Sequence, residues 1–196
     1  MGTDCAPFLA NLFLFAYEFQ WIEKQRKKKQ YDILNHFKIC CRYIDDLLLI
    51  NNNDLMNTMM SQIYPKELVL VPEDEDGKST HFLDLNIVIN DGFISTSIYD
   101  KRDSFDFPIV NFPFLNSNIP KKIGNGVFIG ELVRYARACT YLQDFSTRTF
   151  TLVSKLKKQF FSAKILNKSF SSFCDNHILL IQKFGINILN LHHTWN

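Results

Sequence analysis

Five apolar residues, Phe8, Leu12, Phe15, Phe19 and Ile22, recur at spacings of four, three, four and three, so they share one face of an amphipathic helix. Pro7 is placed to begin that helix, because the amide it lacks has no partner in a first turn. The pattern predicts an end near Gln25. Lys24, Arg26, Lys27, Lys28 and Lys29 crowd that end, where cations suit the helix dipole. A solvated helix end and a nucleic-acid contact explain the patch equally well. The period then changes. Residues 37–43 and 47–50 are β-rich arms, and Ile44, Asp45 and Asp46 at their junction predict a tight hairpin. A short helix over 54–63, a strand over 67–71 and an acidic turn "PEDEDGK" follow. Leu83, Leu85, Ile87 and Ile89 alternate with Asp84, Asn86 and Asn90, the period of a half-buried strand. Asp91-Gly92 predicts a two-residue hairpin turn, with "FISTSIY" as the returning strand. Residues 103–120, rich in Pro, Phe and Asn, keep no period and read as an ordered apolar connector. After Gly130 the pattern is helical: "ELVRYARACTYL", then about 145–161, then about 171–191, two or three helices making a second unit.

Composition narrows this picture. At 196 residues, 46% hydrophobic and with 19 phenylalanines, the chain is a folded protein long enough for one large domain or two small ones. A net charge of +2 announces no nucleic-acid partner, so any such case rests on local charge. Five cysteines, at 5, 40, 41, 139 and 174, form no CxxC pair and no metal-finger spacing. They read as buried free thiols in a reducing compartment, with Cys139 and Cys174 in the core. His81, His177, His192 and His193 are too scattered for a metal site. Asp4 stands where a signal peptide needs a basic region, and the first apolar stretch is too short to span a bilayer. Ala6 occupies the position where myristoylation needs Ser or Thr. The expectation is a nuclear or cytoplasmic protein with no membrane partner.

Candidate chemistry centres on "CCRYIDDLLLI". Two adjacent carboxylates repel, and within a β run they need compensation from solvent, a basic neighbour or a divalent cation. Phosphoryl transfer to a 3′-hydroxyl uses two Mg²⁺ ions about 4 Å apart, held by carboxylates on a rigid turn. A hairpin with Asp45 and Asp46 at its tip supplies two such ligands, and cation charge removes the repulsion. An exposed acidic turn is the plain alternative.

The segments "GTDCAPFLANLFLFAYE", "CRYIDDLLLINN", "IYPKELVL", "FLDLNIVI", "YDKRDSFDFPIVNFPFLNSNIP" and "LVRYARAC" together resemble the reverse transcriptases of animal retroelements, loosely those of Penelope-like elements. The resemblance covers almost the whole chain, with the motifs in the right order. It implies an α+β fold: a partial polymerase palm, an antiparallel sheet with packed helices, followed by a helical thumb. Residues 1–104 would be palm (motif B helix, YIDD hairpin and primer-supporting hairpin), 105–129 an apolar connector and 130–196 the thumb. Gly2, Ala6 and Pro7 correspond to motif B, whose small residues let a base pair approach the backbone; Gly2 and Pro7 would equally suit the mere opening of a helix. Asp45 and Asp46 correspond to catalytic ligands of Mg²⁺ or Mn²⁺, and Tyr43 to a neighbour of the primer end or incoming nucleotide. RNA template, DNA primer duplex and dNTP are the implied partners. Arg134 and Arg137, one turn apart, with Arg148, Lys155, Lys157 and Lys158, would give sequence-independent phosphate contacts, although a solvated helix face suits any single lysine. Phe105, Phe107, Phe112 and Phe114 are expected to pack between palm and thumb rather than stack on bases.

The chain also departs from this family. A further catalytic Asp belongs to motif A, which precedes motif B, so Met1 corresponds to an internal methionine of a longer ancestor. Fingers and motif A would be supplied from upstream, and the chain alone is expected not to polymerise. Asp32 and Asp84 stand in the wrong order to substitute. "QFFSAK" stands where relatives more often carry Gly-Tyr or Gly-Phe. No segment suggests the endonuclease that accompanies many such polymerases. Two other readings are a non-catalytic nucleic-acid-binding remnant and a truncated gene-model product.

Overall fold

The computed structural model describes residues 4–52, 55–72, 77–107 and 109–185. These form an α+β protein with seven helices and two small antiparallel sheets among the described residues. The chain divides into two compact units, Met1–Glu75 and Asp76–Asn196. Gly2 lies outside the described residues, as do residues 73–76 of the expected acidic turn.

In the first unit α1 spans Ala6–Lys27 with Pro7 in its first turn. The face it buries corrects the expectation. Phe8, Leu12, Phe15 and Phe19 are exposed, whereas Leu14, Tyr17 and Ile22 pack around buried Trp21, and Gln25 is buried beside them. Apolar residues surround the front half of this helix, so period alone could not choose a face. The choice falls to what the inward side chains meet: Trp21 makes an edge contact with Phe37, ring centroids 5.1 Å apart, and Glu18 finds polar partners. After α2 (Tyr31–Asn35), strands β1 (Cys40–Tyr43) and β2 (Asp46–Leu49) pair antiparallel, with Tyr43 opposite Asp46 and Cys40 opposite Leu49. The expected hairpin is therefore present, but residues 37–39 stay outside the ladder and Asp46 is already paired. Helix α3 (Leu55–Ile63) starts where Asn52 accepts the Met56 amide at 2.6 Å while donating to the His36 carbonyl at 3.2 Å. No strand forms over 67–71, against expectation; a turn from Pro65 to Leu68 precedes it, and Val69 and Val71 are exposed.

The second unit begins with a three-stranded antiparallel sheet: β3 (Ser79–Phe82), β4 (Leu85–Asn90) and β5 (Phe93–Ile98). The single strand expected from Leu83 is a hairpin instead. Leu83 takes a left-handed conformation, φ 56°, which breaks the alternation and folds Phe82 opposite Leu85. Asp91 and Gly92 form the anticipated turn with φ of 49° and 80°, the two positive values a type I′ hairpin needs. Outside β5, the Thr140 amide donates to the Thr96 carbonyl at 2.8 Å and the Thr96 amide to Thr140 Oγ1 at 2.9 Å.

Four helices complete this unit: α4 (Lys121–Ala138), α5 (Leu142–Lys158), α6 (Ala163–Asn176) and α7 (Ile178–Gln182). Helix α4 starts nine residues before Gly130. Gly124, Gly126 and Gly130 lower its intrinsic propensity and hid its first half, but Phe128 and Leu132 bury completely and hold it. The helix expected over 171–191 starts earlier and breaks at His177. Phe145, Leu152, Leu156, Phe170 and Phe173 fill the core, with Cys139 and Cys174 buried in it as expected. Cys5, Cys40 and Cys41 are exposed, a correction to the buried thiols read from sequence. Phe112 packs on this core, while Phe105, Phe107 and Phe114 are exposed, contrary to the packing expected of them. No helix among the described residues is long and apolar enough to cross a membrane.

Candidate functional site

The β1–β2 turn places Asp45 and Asp46 at the tip of a hairpin, both exposed. Ile44, the first residue of the two-residue bend, sits at φ 55°. A β-branched side chain in the left-handed region is strained, and such strain persists only where surrounding contacts fix it. Those contacts come from Arg42. It donates from Nε to Glu18 Oε1 at 2.7 Å, from Nη1 to Asn11 Oδ1 at 2.7 Å, and from Nη1 to the Ile44 carbonyl at 3.2 Å. Nη2 adds the Asn11 carbonyl and Glu18 Oε2, both at 3.3 Å. Tyr64 donates its hydroxyl to Glu18 Oε1 at 2.6 Å. Burial first, then the hydrogen bond and the negative charge of Glu18, push the Tyr64 phenol far above its ordinary range. Helix α1, the hairpin and the end of α3 are thus tied at one carboxylate.

The basic neighbour of the acidic pair is therefore committed elsewhere. Neither Asp45 nor Asp46 has an ion pair with a described residue, so solvent is what surrounds their charge. Two exposed carboxylates on one tight turn fit a hard divalent cation that keeps several waters or takes further oxygens from a phosphate. Among the described residues no group of three His, Cys, Asp or Glu side chains is placed to hold a metal ion, so a two-ion site lacks a third protein ligand there. Tyr43 is exposed opposite Asp46, on the same hairpin. Ala6 and Pro7 are exposed in the first turn of α1. Lys27, Lys28 and Lys29 are exposed at its other end, and Arg26 pairs with Glu23 at 2.9 Å.

The second unit splits the expected phosphate-binding cations into two groups. Arg134 donates to Asp84 at 2.8 Å and to Glu131 at 3.0 Å. Arg148 bridges Asp100 and Asp103, and Lys155 reaches Asp103 at 2.9 Å. These three hold the loop after β5, the Lys101–Ser104 3₁₀ turn and the β3–β4 turn against the helices of their own unit. Arg137, Lys157 and Lys158 are exposed and have no ion pair with a described residue.

Sequence reasoning missed Arg42, Glu18, Asn11 and Tyr64. One signal was available: an arginine inside a β-rich arm and a glutamate inside an apolar helix, each an unpaired charge until matched with the other. No protein-family model, curated protein or solved structure matches this chain.

Proposed function

We propose that this chain is the palm and thumb part of a retroelement reverse transcriptase, with Asp45 and Asp46 as ligands for Mg²⁺ or Mn²⁺ beside a primer terminus. RNA template, DNA primer and dNTP are the substrates of that reading. The observation that carries it is the uncompensated acidic pair on a strained two-residue turn, pinned from below by a guanidinium whose charge is already spent. Turns held strained against the rest of a fold cluster at functional sites. A bound divalent ion would supply Lewis-acid stabilisation of phosphate charge. The chain's own residues present the oxygens, fix the bend, and place Tyr43 on the same rigid ladder. Sequence-independent contact with the duplex falls to Arg137, Lys157 and Lys158, since Arg134, Arg148 and Lys155 serve internal ion pairs.

The test is paramagnetic broadening by Mn²⁺ of the backbone amides of residues 43–47, with a primer–template duplex present. Broadening centred there and lost in Asp45→Asn and Asp46→Asn supports the reading; uniform or absent broadening overturns it. Primer extension by the 196-residue chain alone is expected to be nil, because the described residues group no third carboxylate with this pair. Mg²⁺-dependent extension abolished by Asp45→Asn would contradict that expectation.

A further inference from the structure

We infer that Arg42 is a positioning residue for the acidic turn, holding the Ile44 bend on α1 so that Asp45 and Asp46 are presented together to a divalent cation while its own charge is kept from both. This rests on reading the pair as cation ligands. The geometry supports two separate halves of the claim. Arg42 is the described side chain that donates to the turn's backbone, at the carbonyl of the residue whose φ is 55°. The same guanidinium is fixed on two residues of α1 seven positions apart, Asn11 and Glu18, which lie two turns along one helix face. A planar fork can hold three directions at once. Its charge is matched by Glu18 at 2.7 Å, and Glu18 is in turn aimed by the Tyr64 hydroxyl. An arginine paired with Asp45 or Asp46 would compete with a cation; one paired with Glu18 shapes the site and leaves its negative charge intact.

Lysine separates these roles. Arg42→Lys keeps a cation for Glu18 but cannot reach Asn11 and the Ile44 carbonyl together. Mn²⁺ affinity is measured by titration of the metal alone into the whole chain, alongside the thermal midpoint and the amide shifts of residues 40–49. The expected result is about a tenfold weaker Mn²⁺ affinity, in the range set by ligand-orienting partners, with the β1–β2 ladder still formed. Unchanged affinity with an intact hairpin overturns the inference while leaving the acidic pair as ligands. If Arg42→Lys does not fold, Asn11→Ala decides: it removes one anchor and keeps the Glu18 pair, and a several-fold loss supports the inference where no loss overturns it. Absence of Asp45-dependent Mn²⁺ binding in the unaltered chain overturns the functional reading itself.

Discussion

Asp100 shows how a single side chain redirects an electrostatic reading. Its side chain is 7% exposed, and it accepts from Arg102 Nε at 2.7 Å and from Arg148. Burial pushes its carboxyl up, but the Arg102 hydrogen bonds and the charges of Arg102 and Arg148 outweigh burial and hold it down at about 2. The folded value lies below the ordinary 3.8, so the ionised form favours the native state. That stabilisation is complete above about pH 4 and is lost as the pH falls from there through about 2, some ~2 kcal/mol in all. Urea unfolding followed from pH 5 to pH 2 is therefore expected to show a steep decline that flattens in Asp100→Asn; an identical slope in both proteins contradicts the assignment. None of this was legible locally. Arg148 and Lys155 read as phosphate contacts because their acidic partners lie 45 to 52 residues earlier, beyond any period a helix carries.

At the scale of elements, legibility followed turn chemistry. The Asp91-Gly92 hairpin was readable because both residues tolerate positive φ, and the acidic hairpin because β-rich arms flank it. The bend at Leu83 was not, since a leucine in the left-handed region carries no sequence signal. The α1 face was misread because apolar residues occupy several sides of that helix. The junction of α5 and α6 is the instructive case. Helix α5 stops at Lys158, Phe160 sits at φ 67°, and Ser162 caps α6 by accepting the Ile165 amide at 3.3 Å. The backbone keeps the conformation a glycine would favour, although the residue is phenylalanine, 62% exposed. Phe160→Gly removes left-handed strain at little cost in packing, so stability is expected to rise by about 1 kcal/mol. A lower denaturation midpoint would show instead that the Phe114–Phe160 ring contact, 6.2 Å between centroids, outweighs the strain.

For the molecule as a whole, the α+β class and its mix of hairpins and helices followed from the switch between periods of two and about 3.6 along the chain. What period could not supply was which apolar residues stay outside. Phe8, Leu9, Leu12, Phe13, Phe15 and Phe19 leave half or more of their surface exposed on α1, with Phe8 at 76%. Single exposed apolar residues are ordinary, but six on consecutive turns of one helix form a patch of the kind that drives association. The second unit differs, because its largest core side chains are fully buried. Self-association of the chain is therefore expected to track α1. Leu12→Glu with Phe15→Lys places an opposite-charge pair one turn apart on that face, which suits an exposed helix. Sedimentation velocity should show the concentration-dependent species diminish in the double variant, with stability changed by less than about 0.5 kcal/mol because neither side chain packs within the first unit. Cooperative destabilisation of the monomer would instead mean that these residues are interior to the fold, and the α1 face assigned to Leu14, Tyr17 and Trp21 would have to be reversed.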